Sequence, residues 1–307
     1  MTITKADGSV ANFYDLTYFF TYATQTCTVV TNCAVSTVGA TAGSTITGPA
    51  NGSFDTTPVI SPQGLVSASA FGGFTAVAPG SWMEIYGTNL ATTLQQTWAG
   101  ADFNGNQAPT ALGGTTVTVA GKPAYVDYVS PHQVNAQVPS GVPAGSQAVV
   151  ITTAGGNSVN YFVTVNPVQP GLLAPAAFKL SGNQYVVALF TDGRTYVLPP
   201  VTNAVPTARA KPGDVITLYG VGFGPVTPDN PAGLIEQVQN SLQGTFTASF
   251  GGTPAVVTYA GLAPGYVGLY QFNVTVPKVS AGDTLPFTFS LGGAAPPQSN
   301  LVIAIGN

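Results

Sequence analysis

APGSWMEIYGTNL (Ala78–Leu90) and KPGDVITLYGVGF (Lys211–Phe223) share Pro, Gly, Tyr and a second Gly at identical offsets. Reading outward from these two stretches, LGGTTVTVAGKPAYVDYVS (112–130) is answered by LQGTFTASFGGTPAVVTYAG (242–261). In the same order, QVNAQVPSGVPAGSQAVVITTAGG (133–156) is answered by QFNVTVPKVSAGDTLPFTFSLGG (271–293). A fixed-order self-similarity of this kind means one structural unit used twice, here a module of roughly 95 residues. Within each copy, apolar and polar residues alternate over short runs broken by Gly, Pro and Asn about every ten residues, the pattern of a β-sandwich.

Composition agrees with strands. Charged residues make up 6% of the 307-residue chain, whereas Gly and Pro number 37 and 25, and Thr, Val and Ala fill the rest of the strand and turn chemistry. The expected fold is all-β, with two tandem immunoglobulin-like sandwiches, an N-terminal β arm and a hairpin-containing connection. The boundaries read as 1–58 for an aromatic arm, 59–166 for the first sandwich, 167–208 for a Pro-rich connection and 209–307 for the second. In the connection, PVQPGLLAP is stiff, and NQYVVALFTDGRTYVLP reads as a hairpin turning at Asp192-Gly193.

Charge excludes some partners. Seven basic residues are scattered along the chain, so no stripe exists to neutralise phosphates, and nucleic acid is not expected. No stretch reaches the roughly 18–20 apolar residues of a membrane-spanning helix. MTITKADGSV lacks the apolar core of a signal peptide, so an export signal is absent or removed. An outer-membrane barrel would need longer strands and aromatic girdles, which these short Pro-rich repeats fit poorly. A mean hydropathy of +0.29 with so little charge favours association between copies.

The first 58 residues have no counterpart in the repeat. Phe13, Tyr14, Tyr18, Phe19, Phe20 and Tyr22 place six aromatics within ten residues, more apolar surface than a free arm leaves in water. Two dockings are open: extra strands on the arm's own first module, or strand addition to a neighbouring subunit. Cys27 and Cys33, the two cysteines of the chain, suit a disulfide across a turn in an oxidising compartment; free thiols and a metal clip are the alternatives.

Catalytic chemistry has little to stand on. His132 is the single histidine, and the second copy has none at the matching place. The acids, Glu84 and Asp127 among them, are isolated in sequence and announce no acid–base pair. Asp102, Asn104 and Asn106 space three oxygen ligands as in the first half of a calcium loop, but the Gly falls one place early and no closing Glu follows, so an Asx-rich turn explains them better. No cofactor is expected. Trp98, Tyr125, Tyr128, Tyr266 and Tyr270 could instead offer flat faces for sugars.

The blocks VAPGSWMEIYGTNLA, LGGTTVTVAGKPAYVDYVSPHQVNAQVPSGVPAG and KPGDVITLYGVGFGP resemble the Solibacter-type C-terminal domain family of exported acidobacterial proteins, and each module is similar to the immunoglobulin-like IPT/TIG group. The resemblance spans 59–305 and implies tandem sandwiches on an extracellular or cell-surface bacterial protein, with no catalytic residues to carry over. The leading expectation is therefore a non-enzymatic structural protein, a subunit of a homopolymeric fibre or layer built by N-terminal strand addition. The alternative is a carbohydrate-binding or adhesion module with surface glycans as partners, and a hydrolase stands third.

Overall fold

The computed structural model describes residues 3–4, 10–11, 56–69, 74–200 and 205–307. The chain forms two compact units, 1–55 and 56–307. In the first, Ile3–Thr4 pairs antiparallel with Val10–Ala11. The arm aromatics Phe13, Tyr14, Tyr18, Phe19, Phe20 and Tyr22, together with Cys27 and Cys33, lie outside the described residues.

The second unit is all-β and contains both sandwiches. The principal strands of the first are β1 (Val59–Ser67), β2 (Trp82–Thr88), β3 (Thr115–Val119), β4 (Tyr125–Val129), β5 (Gln133–Gln137), β6 (Gly145–Thr153) and β7 (Tyr161–Val165). One sheet runs β1-β2-β5-β4 and is edged by Gln96–Thr97. The other runs β7-β6-β3, with Ala76–Val77 added parallel to β7 and Ala111–Leu112 beside β3. Strand alternation sends Met83 and Ile85, Val134 and Ala136, Val117 and Val119, and Val149 and Ile151 into one core, all fully buried. Alternate residues leave the other face of each sheet polar, as a two-sided antiparallel sheet requires.

The second sandwich repeats the plan with β8 (Ala188–Phe190), β9 (Val215–Val221), β10 (Phe246–Phe250), β11 (Val256–Leu262), β12 (Tyr270–Thr275), β13 (Gly282–Leu291) and β14 (Leu301–Ile305). Its sheets run β8-β9-β12-β11 and β14-β13-β10. Residues 167–208 supply Gly171–Leu172, Asn183–Tyr185, β8 and Tyr196–Val197 to these sheets, and β8 holds against β9 the place that β1 holds against β2. The hairpin turn is fixed by Asp192, whose carboxylate accepts hydrogen bonds from the Arg194 and Thr195 amides and from the Thr195 hydroxyl. These three donors favour the charged form and pull the Asp192 carboxyl down to about 2.

The two cores differ in filling. Where the first uses valines, the second uses rings: Phe246 stacks on Phe272 with centroids 3.9 Å apart, and Phe223 packs against Phe246, Phe272 and Phe289. Tyr270 is buried beside them and donates its hydroxyl to the Gly224 carbonyl.

The sandwiches meet through backbone groups and the side chains of Trp82 and Gln137. Ala108 N donates to Gly233 O at 2.7 Å, Ile235 N to Asn106 O at 2.9 Å, and the Trp82 indole N–H to Val267 O at 2.8 Å. Gln137 clasps both sides: its amide donates to Gly80 O at 2.9 Å and its carbonyl accepts from Gly233 N at 2.7 Å. Close approach demands glycine at 233, where φ is +83° and a Cβ would lie 2.2 Å from the Tyr125 ring.

Candidate functional site

The outer face of the β2-β5-β4 sheet carries the most distinctive chemistry of the first sandwich. On it Glu84 stands opposite Asn135, Tyr86 opposite Gln133, and Tyr128 opposite Asn135. Gln133 donates its side-chain amide to Asn135 Oδ1 at 2.8 Å, and the Tyr86 hydroxyl donates to Glu84 Oε2 at 2.6 Å. A β-bulge shapes β4. Val126 and Val129 are both fully buried although three residues apart, and the register shifts between Val126 and Tyr128, so two consecutive residues, Asp127 and Tyr128, stay out of the core.

The bulge also turns Asp127 out onto the face that carries Glu84, two acids that the sequence shows as isolated. Burial, and secondarily the charge of Glu84, push the Asp127 carboxyl up to about 7. Burial raises Glu84 as well, opposed by its hydrogen bond from Tyr86. One carboxylate oxygen of Asp127 is buried without a hydrogen-bond partner. The pair sits on a sheet face, and neither acid lines the cavity of about 180 Å³ at the module junction, whose walls include Gln137, Ser140, Asp229 and Tyr270. This is not the arrangement of two carboxylates flanking a bond in a cleft.

Aromatic residues rim the face. Trp98 meets Trp82 edge-on at 5.5 Å and Phe103 at 4.9 Å, and its amide donates to Asp127 O at 2.9 Å. Of the five aromatics singled out for sugar stacking, Trp98 and Tyr128 belong to this region, and Tyr266 is 56% exposed on the second sandwich. Tyr125 is half-buried with Gly233 lying against its ring, at the module junction, and Tyr270 is buried.

The remaining sequence candidates are placed elsewhere. His132 is exposed, with Nδ1 3.2 Å from Gly87 O. Asp102 turns its carboxylate onto the Ala99 amide, Asn104 exchanges backbone hydrogen bonds with Gln107, and Asn106 uses its carbonyl on Ile235. Among the described residues no three His, Cys, Asp or Glu side chains gather as metal ligands, and no helix is long and apolar enough to cross a membrane.

What sequence reading missed is the Gln-Asn ladder. Its signal was present: QVN at 133–135 and QFN at 271–273 repeat both polar residues at outward positions, where packing places no demand for identity.

Residues 75–167 match the IPT/TIG domain family, which accords with the sandwich described over that range. Among solved structures, SGBP-B of the Bacteroides ovatus mixed-linkage glucan utilization locus, in complex with a mixed-linkage heptasaccharide, is similar at 15% identity and a TM-score of 0.34, covering 81% of this chain and 45% of that one. SGBP-B from a complex xyloglucan utilization locus of Bacteroides uniformis is similar at 12% identity and a TM-score of 0.22, covering 80% and 49%. The chain thus spans about half the length of each, and neither superposition is close enough to transfer a ligand. No curated protein matches the chain.

Proposed function

We propose that the chain is a non-enzymatic carbohydrate-binding or adhesion module of an exported, cell-surface bacterial protein of the Solibacter type. The observation that carries this is the aromatic and amide ladder on the outer face of the first sandwich. Tyr128 provides an apolar face for a sugar ring, with half-buried Trp98, packed on Trp82 and Phe103, as its border, while Gln133, Asn135 and Glu84 provide donors and acceptors for hydroxyls. A shallow sheet face of this kind suits an extended polymer rather than a small enclosed ligand. The Cys27–Cys33 disulfide belongs to the same reading, since it needs an oxidising compartment; non-reducing peptide mapping tests it.

Affinity electrophoresis through gels carrying hydroxyethylcellulose, xylan or glucomannan tests binding. Retardation that is lost in Tyr128→Ala supports the proposal, and free migration of the intact chain in every gel overturns it.

A second reading, a homopolymeric fibre built by N-terminal strand addition, is favoured by one feature. β4 is covered along its edge by Gln96–Thr97, whereas no described strand pairs with the outer edge of β11, the equivalent strand, on which Val256 is 66% exposed. Here the arm from Phe13 to Tyr22 would be the donor. Negative-stain images of concentrated protein separate the readings: filaments that vanish when residues 1–26 are deleted support the fibre, and dispersed particles overturn it.

A further inference from the structure

The repeat extends to the outer sheet face, not only to the core. β12 presents Gln271 and Asn273 at the places of Gln133 and Asn135, and Gln271 donates to Asn273 Oδ1 at 3.0 Å, as Gln133 does to Asn135 at 2.8 Å. The bulge recurs as well: the register of β11 against β12 shifts between Val257 and Tyr259, just as that of β4 against β5 shifts between Val126 and Tyr128. Tyr259 therefore takes the place of Tyr128, and Tyr219 that of Tyr86.

A core repeats because packing demands it, but outward amides and tyrosines carry no packing requirement strong enough to hold both identity and hydrogen bond in two copies whose cores are filled so differently. Two positions differ in kind. Thr217 and Thr258 stand where the first copy has Glu84 and Asp127, and Thr217 donates its hydroxyl to Asn273 Oδ1 at 3.2 Å. The second face is thus a neutral version of the first. Tyr266, 56% exposed, sits on the turn that joins β11 to β12 beyond the Leu262–Tyr270 pair, its amide donating to Ala263 O.

We infer that the second sandwich carries its own binding face for neutral sugar chains, centred on Gln271, Asn273 and Tyr259 with Tyr266 as the stacking ring, so that each chain holds two sites. This rests on the carbohydrate reading of the first face. The strands of the second face carry no carboxylate, and its acidic neighbour Glu236 is buried and exchanges backbone hydrogen bonds with Gly265 and Tyr266. The first face carries Glu84 and Asp127 on its strands, so between pH 4.5 and 8 its affinity changes more than that of the second. With both sites on one chain, a long polymer engages both, and retention on polysaccharide exceeds that of either site alone.

The test is calorimetric titration of the full chain with cellohexaose, xylohexaose and mannohexaose, paired with electrophoresis on the parent polymers. The expected result is two hexasaccharides per chain, one after Tyr128→Ala, and one after Tyr266→Ala. Each variant should reduce polymer retention at least tenfold, with Tyr266→Phe retaining wild-type behaviour. Tyr266 is exposed, so its replacement leaves the fold intact, and an unchanged thermal transition verifies this. A stoichiometry of one that Tyr128→Ala abolishes and Tyr266→Ala and Gln271→Ala leave untouched overturns the second site while the first stands. One site that responds only to Tyr266→Ala and Gln271→Ala supports the second face and overturns the reading of the first. No binding to any of the three sugars overturns both.

Discussion

Gln137 Oε1 accepts the Gly233 amide at 2.7 Å across 96 residues of chain, and the same side chain donates to Gly80 O on its own sandwich. One glutamine thereby closes the junction from both sides, and it is 1% exposed. Gln137→Ala removes two hydrogen bonds and leaves the buried Gly233 amide unpaired, a loss of about 2–3 kcal/mol. Denaturant unfolding measures the loss, and solution scattering should show a longer particle.

Gly233→Ala is the harsher test of the same junction. The added methyl group would fall on the Tyr125 ring, and its φ of +83° disfavours any side chain. The loop must lift, so calorimetry should resolve two transitions where the parent shows one. A single transition at the parent temperature would mean that the junction is not a cooperative element.

Asp127 gives the molecule a pH dependence of definite sign. Its carboxyl is pushed up to about 7 by burial and by Glu84, against about 3.9 in an unfolded chain. Between these values the folded state holds a proton that the unfolded state has released, so stability falls as pH rises from about 4 to about 7. Asp127→Asn flattens this slope and makes the protein more stable than the parent at pH 8. Thermal melts at pH 4.5 and 8 measure both. Tyr86→Phe withdraws the hydrogen bond that opposes Glu84's upward shift, and carboxyl-resolved NMR titration should show Glu84 ionising at higher pH.

The ring cluster of the second sandwich predicts an asymmetry between the modules. Phe272→Ala deletes a fully buried ring that stacks on Phe246 and touches Phe223, at a cost of about 3–5 kcal/mol. Hydrogen exchange should report the loss first in β9, β12 and β10, with the valine-filled first core less affected.

The repeat made the two sandwiches legible, because alternation and turn residues are local properties that survive in any context. The pairing of β8 with β9 was harder to read: residues 167–208 are rich in proline and lack a counterpart in the first copy's numbering, yet they take the role of β1. The Glu84–Asp127 approach was invisible because it depends on a bulge, and a one-residue register shift leaves no trace in periodicity until both flanking valines are known to be buried. Tyr270 shows the reverse error. A tyrosine at a strand start reads as half-exposed, but here Gly224 gives its hydroxyl a buried acceptor and draws the ring inside.

In each sandwich a strand of two or three residues lies parallel to the final strand: Ala76–Val77 to β7, and Asn183–Tyr185 to β14. Because the two strands run in the same direction, tension between the start of the short strand and the end of the final one loads every hydrogen bond of that pair together instead of peeling them singly. Under the carbohydrate-binding proposal, drag from a polymer held on the sheet faces would meet these parallel pairs in their most resistant direction.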